Sequence, residues 1–183
     1  MLGSLVSILH YLKEGENVSS ADDQQERLKI AGWVVGFVDG EGCFSIGINR
    51  NLLMKTGWQV IPEFVVTQGE KSLVSLQILR DFFECGNIFV NRRSDNHKEH
   101  LHRYCVRSLS DLRTKIVPFF RENPLKTSKR EDFEKFVLVL ELIEQGKHLT
   151  KEGIAEIARI AETMNRRQPS RFLRILRDYT PEA

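Results

Sequence analysis

Several familiar compositional signals are missing from this chain, and each missing signal closes off a class of protein. Only three of the 183 residues are cysteine, namely Cys43, Cys85 and Cys105. Their spacing suits neither a disulfide framework nor a pair of zinc-binding knuckles. A reducing, intracellular setting is therefore expected, in a bacterial cytoplasm or an organelle, between which composition does not choose. No apolar run approaches the ~20 residues needed to cross a bilayer, so no membrane partner is expected. Leu2 to Leu12 is mildly apolar but lacks the basic start and cleavage site of a secretory signal. It reads as a loosely attached helix or tail, with Glu14 to Asp23 as a polar linker. Formal net charge is only +2, so basicity over the whole chain does not announce a nucleic acid, and local charge must carry any such claim.

What is present concentrates in Ile30 to Phe44, IAGWVVGFVDGEGCF. Gly32, Gly36 and Gly40 recur every four residues and so share one face of an α-helix. Each costs about 1 kcal/mol relative to alanine in a helix interior, which suggests a backbone that another backbone must approach closely. The helix ends on Asp39 and Glu41, where the macrodipole favours cations instead. Something outside the helix is expected to offset that placement, and a divalent cation is the simplest candidate. A polar turn closing a buried helix is the plain alternative. A membrane helix pair with Gly-xxx-Gly spacing is excluded by the shortness of the apolar stretch.

Periodicity orders the rest of the chain. A helix is expected over about Gln25 to Gly40, then strands over Cys43 to Asn51 and Trp58 to Gln68. Pro62 cannot donate to a ladder, so it implies an edge position or a bulge. A helix over Glu70 to Phe83 precedes strands over Asn87 to Arg93 and Leu101 to Ser108, which flank a polar turn at Ser94 to Lys98. Helices follow over Asp111 to Phe120, Lys129 to Glu144, Lys151 to Asn165 and Ser170 to Asp178. The division is an N-terminal extension over 1–24, a core over 25–145 and a C-terminal helical extension over 146–183. The order α-β-β-α-β-β-α plus C-terminal helices makes an α+β protein.

Val34-Val35-Gly36-Phe37-Val38-Asp39-Gly40-Glu41-Gly42 closely resembles the signature of the LAGLIDADG homing endonucleases, and Cys43-Phe44-Ser45-Ile46 continues it as the family's first strand does. The similarity extends more weakly over about residues 27–145. It implies the αββαββα homing-endonuclease fold, with a curved antiparallel DNA-binding sheet. The signature occurs once, which in this family implies a homodimer whose helices meet through Gly32, Val35, Gly36 and Gly40. By the same resemblance Glu41 is the metal-binding acid, assisted by the Gly40 carbonyl, while Asp39 makes local hydrogen bonds, and Mg²⁺ is the implied cofactor. Gln68 matches the position of a water-orienting glutamine. Lys129 resembles the active-site lysine, with Lys126 as a close rival in Leu125-Lys126-Thr127-Ser128-Lys129-Arg130.

Alternation assigns the faces of the strands. Phe44, Ile46, Ile48, Val60, Phe64, Val66, Ile88, Val90, Tyr104 and Val106 are expected inward. The outward set includes Ser45, Asn49, Gln59, Glu63, Asn91, Arg93, Arg103, Cys105 and Arg107. Arginine, asparagine and glutamine pair bidentately with guanine and adenine edges in the major groove. Ser45, Asn49, Gln59, Asn91, Arg93, Arg103 and Arg107 are therefore the candidate DNA-binding residues. Lys126, Lys129, Arg130, Arg166, Arg167, Arg171, Arg174 and Arg177 suit phosphates. The reading is a site-specific, Mg²⁺-dependent double-strand DNA endonuclease cutting a long pseudo-palindromic target and promoting intron homing. The rival keeps the fold without cutting, as an RNA maturase or DNA-binding regulator. A third reading gathers His97, His100, His102 and Cys105 into a metal site.

Overall fold

Helix α1 (Ser20–Glu41) passes directly into strand β1 (Gly42–Arg50) with no loop between them. Gly42 makes this junction possible, since a Cβ there would lie 2.6 Å from Val38 Cγ1 and 2.8 Å from the Val38 carbonyl oxygen. The computed structural model describes residues 20–91, 100–165 and 172–175, with side chains from residue 24 onward. Residues 1–19, the turn Ser94 to Lys98, and most of the expected helix Ser170 to Asp178 lie outside them. The first turn of α1 falls in the segment that periodicity left in the N-terminal extension.

Strand β2 (Trp58–Gly69), helix α2 (Leu73–Phe83), β3 (Asn87–Asn91) and β4 (Leu101–Val106) follow. They form an antiparallel four-stranded sheet in the order β1-β2-β4-β3. Pairing of β1 with β2 is continuous from Gly42↔Val66 to Arg50↔Trp58, so there is no bulge at Pro62. The β2–β4 register begins only at Phe64↔Val106, which leaves Pro62 with a single neighbouring strand. It occupies a local edge, where a missing N–H is harmless.

Alternation decides which residues make the core. Phe44, Phe64, Val66, Tyr104 and Val106 are buried under α1, α2, and the helices that follow β4. Those are α3, built from Leu109–Asp111 and Val117–Glu122 around a π-helical stretch Leu112–Ile116, and α4 (Lys129–Glu144). Pro118 lacks an N–H and crowds the carbonyl one turn back, which suits a widened turn just before it. Phe44 is the hub, stacked on Phe64 at 5.1 Å and edge-on to Phe120 and Phe133. Val90 departs from the inward assignment: it is 52% exposed. It sits near the end of the edge strand opposite His102, beyond the reach of the helices.

Helix α5 (Lys151–Glu162) and the short helical stretch at 172–175 close the far half of β1 and β2. Ile154, Ala155, Ala158 and Phe172 form a cluster against Ile48, Trp58 and Val60, and Ile157 joins Val139, Leu142 and Ile143. Among the described residues, no helix is long and apolar enough to cross a membrane.

Candidate active site and nucleic-acid interface

Helix α1 has a buried side and a bare side. Ile30, Val34 and Val38 are buried in the core. Gly32, Gly36 and Gly40 are exposed, and a Cβ added to any of them meets nothing within 4 Å. Trp33 and Phe37, one turn apart, stack at 5.0 Å beside that strip. Val35 is half-buried at the margin of the main core.

The two acids at the end of α1 meet different fates. Asp39 accepts hydrogen bonds from the backbone N–H of Lys126 at 2.6 Å and of Thr127 at 3.2 Å, and from the Thr127 hydroxyl at 2.8 Å. Burial alone would raise its pKa, but these bonds and the Lys129 charge hold the carboxyl below the ordinary 3.8. The offset expected from a cation is thus supplied to Asp39 by the chain itself. Glu41 is exposed, and its carboxylate accepts no hydrogen bond among the described residues.

Lys129 lies at the same place. Its ammonium donates to the Val38 carbonyl at 2.9 Å, satisfying a helix-end acceptor with a cation. Burial draws this lysine below its ordinary 10.5, while Cys43, Asp39, Glu41 and Asp132 pull the other way. Lys126 is exposed and reaches the site through its backbone. Of the two lysines, Lys129 has its ammonium hydrogen-bonded to the end of α1. Continuing the β1–β2 register one step beyond Gly42↔Val66 sets Glu41 level with Thr67, so Gln68 is at this end of the sheet too. The C-terminal segment is pinned alongside, where Asn165 Nδ2 donates to the Phe44 carbonyl at 2.9 Å and Cys43 Sγ donates to Asn165 Oδ1 at 3.3 Å.

On the outer face, the candidate DNA-reading residues are not equally free. Asn49 and Asn91 are exposed, while Gln59 Oε1 accepts from Asn51 Nδ2 at 3.0 Å. Arg93 lies outside the described residues, as do Arg166, Arg167, Arg171 and Arg177. Arg103 and Arg107 both pair with Glu63. That hydrogen bond raises the Arg107 pKa further above its ordinary value. Ser45 also donates to Glu63, at 3.5 Å. Pattern reading placed Glu63 outward but gave it no role. The available signal was that Glu63 is the single acidic residue in the four strands.

The histidine–cysteine reading is overturned for its described members. His102 is buried on the inner face beside Tyr104, whereas Cys105 projects to the outer face, where its thiol meets Glu63. His97 lies outside the described residues. Among the described residues, no group of three or more histidine, cysteine, aspartate or glutamate side chains could hold a metal ion.

With this geometry in place, comparison with known proteins is informative. The sequence profile of the family described as LAGLIDADG endonuclease matches residues 34–140. "Probable intron-encoded endonuclease 3" of Neurospora crassa is 33% identical over 140 residues, covering 75% of this chain and 25% of that protein. The chain spans about a quarter of the length of the curated fungal relatives it matches. Among solved structures, the homing endonuclease I-TnaI shares 45% identity with a TM-score of 0.71, over 81% of this chain and 96% of that one. The I-SmaMI LAGLIDADG homing endonuclease, bound to cleaved DNA, shares 33% identity with a TM-score of 0.70, over 84% of this chain and 49% of that one.

Proposed function

The chain belongs to the LAGLIDADG endonuclease family, and from that premise we propose that it is a site-specific endonuclease of double-stranded DNA, acting as a homodimer with Mg²⁺. The observation that carries the reading is the division of labour at the end of α1. Asp39 is consumed by three hydrogen bonds, while Glu41 stays exposed two residues on.

A carboxylate and a nearby carbonyl are hard oxygen donors, which suit Mg²⁺. That ion keeps several waters and binds through one or two carboxylates plus phosphate oxygens, so the lack of a fuller cage among the described residues is compatible with it. Glu41 and the Gly40 carbonyl would hold it. When bound, the ion supplies an activated water and stabilises charge on the phosphate oxygens. Gln68 orients the attacking water. Lys129, anchored to Val38 and half-buried, presents a fixed positive charge to the developing negative charge.

The bare strip Gly32, Gly36 and Gly40 is covered by the same helix of a second copy, with Val35 beside it. Two-fold symmetry then supplies one Glu41 to each strand and calls for a long, roughly palindromic target. Ser45, Asn49, Gln59, Asn91, Arg103 and Arg107 face that target in the major groove. Several relatives are named as probable intron-encoded endonucleases. We extend that role here as promotion of intron homing, in an intracellular compartment.

The test is cleavage of a randomised duplex-DNA library with Mg²⁺ by the native protein and by Glu41→Gln, with the cut ends sequenced. Two-fold sites cut by the native protein alone would establish the nuclease. Specific retention of DNA without cutting by either protein would replace it with a non-cleaving regulator. Retention of folded RNA in place of DNA would point to a maturase.

A further inference from the structure

Glu63, on β2, gathers side chains from both neighbouring strands, β1 and β4, and from Arg107 just past β4, onto one carboxylate. Its Oε1 receives Arg103 Nη2 and, at 3.5 Å, the Ser45 hydroxyl. Its Oε2 receives Arg107 Nε at 2.8 Å and the Cys105 thiol at 3.7 Å. Exposure rises outward from this centre, with the side chain of Glu63 at 17%, Arg103 at 33% and Arg107 at 55%. Glu63 therefore lies at the base of the group, with the guanidinium groups projecting above it. Arg107 is gripped at Nε, so the edge carrying both terminal nitrogens is left unoccupied by Glu63.

We propose that Glu63 is a specificity-determining positioning residue, which holds Arg103 and Arg107 as one unit aimed at guanines and does not itself contact a base. This rests on the reading of the outer face as the DNA interface. A freely rotating arginine satisfies a phosphate as readily as a base and loses rotamer freedom when it binds either. An arginine already fixed has lost that freedom beforehand: Arg107, held at Nε, keeps its terminal N–H fork for guanine O6 and N7, while Arg103, held at Nη2, keeps its other N–H donors. The carboxylate also cancels one of the two positive charges, which weakens indiscriminate attraction to phosphate. Both effects act in the same direction, toward lower general affinity and sharper discrimination.

The native protein, Glu63→Gln, Glu63→Ala, Arg103→Ala and Arg107→Ala would each be used to select from a randomised duplex library without divalent metal. Retained DNA would be sequenced at matched total retention, after thermal unfolding had confirmed that each variant folds. The arginine variants identify which guanine positions the pair reads. At those positions both Glu63 variants are expected to lose roughly 3- to 10-fold of the guanine preference, a part of what a bidentate contact supplies. Bulk DNA is expected to bind them as well as the native protein or better. Unchanged preference at those positions would overturn the proposal. So would loss confined to positions the arginine variants leave alone, because Glu63 would then be reading a base directly. Tighter binding with the guanine preference intact would also overturn it, making Glu63 only a brake. If the arginine variants keep every native preference, the DNA-facing assignment of the sheet falls first, whatever Glu63 does.

Discussion

At the end of α1 two carboxylates stand two residues apart, and only Asp39 is bound into the protein; on the outer face of the sheet Glu63 alone receives four side chains. Asp39 is neutralised by backbone N–H groups and a hydroxyl, which are rigid and lead nowhere beyond themselves. Glu63 is neutralised chiefly by arginines, whose far ends remain presentable to a ligand. The Glu41 carboxylate accepts no hydrogen bond among the described residues, and the Lys129 charge reaches it only through space. The same functional group thus serves as a structural clamp, a support for other charges, or an available ligand. Which of these it becomes depends on the donors the fold brings to it.

The largest effect should come from breaking the available member of the set. Glu41→Gln should lower the cleavage rate about 10³-fold, equivalent to several kcal/mol of transition-state stabilisation, in single-turnover assays. DNA retention should persist, and a variant that still cuts would remove Glu41 from the site. Next, Gly36→Leu should leave a folded monomer, because the helix gains about 0.8 kcal/mol of propensity and the new side chain has open space within its own chain. Sedimentation as an undiminished dimer would place the interface elsewhere.

The two lysines sharpen the contrast between touching the site by ammonium and by backbone. Lys129→Met should slow cutting about 10²-fold, whereas Lys126→Met should change it by less than about threefold. Equal effects would undo that distinction.

Asp39→Asn tests the clamp and should cost about 1–3 kcal/mol in denaturant unfolding, since an amide nitrogen would face backbone donors. Asp39 has its folded pKa below 3.8, so its stabilisation is fully present above pH 3.8 and disappears as pH falls through the lower folded value. The native protein should therefore lose more stability than the variant as pH drops below about 4. Parallel acid limbs would show that the clamp is not ionic. The smallest effect, about 1 kcal/mol, is expected for Asn165→Ala, which frees the Phe44 carbonyl on an edge strand.

Much of the architecture was legible along the chain because strand alternation and helical periodicity are local. Lys129 to Glu144 was recognisable from Phe133, Phe136, Val137 and Leu140, and the observed helix has those bounds. The bare glycine strip was readable for the same reason: residues four apart on a helix share a face wherever the helix goes. Val90 failed because its exposure depends on how far the covering helices reach, which no alternation encodes. His102 and Cys105 lie on opposite faces, as the outward assignment of Cys105 and the inward one of Tyr104 already implied by strand parity.

A short motif sufficed to name the family and to bring Asp39 and Glu41 to the end of one helix, since covalent order and helical rise dictate that placement. Partnership between distant residues was beyond its reach. Thr127 comes to Asp39 across 88 positions, and Arg103 and Arg107 come to Glu63 across 40 and 44. Those contacts follow from sheet register and from the docking of the segment before α4, both set by burial of the common core. Charge and hydrogen bonding act through space, so the difference between an acid that is bound in and one that is available arises only after the chain has packed.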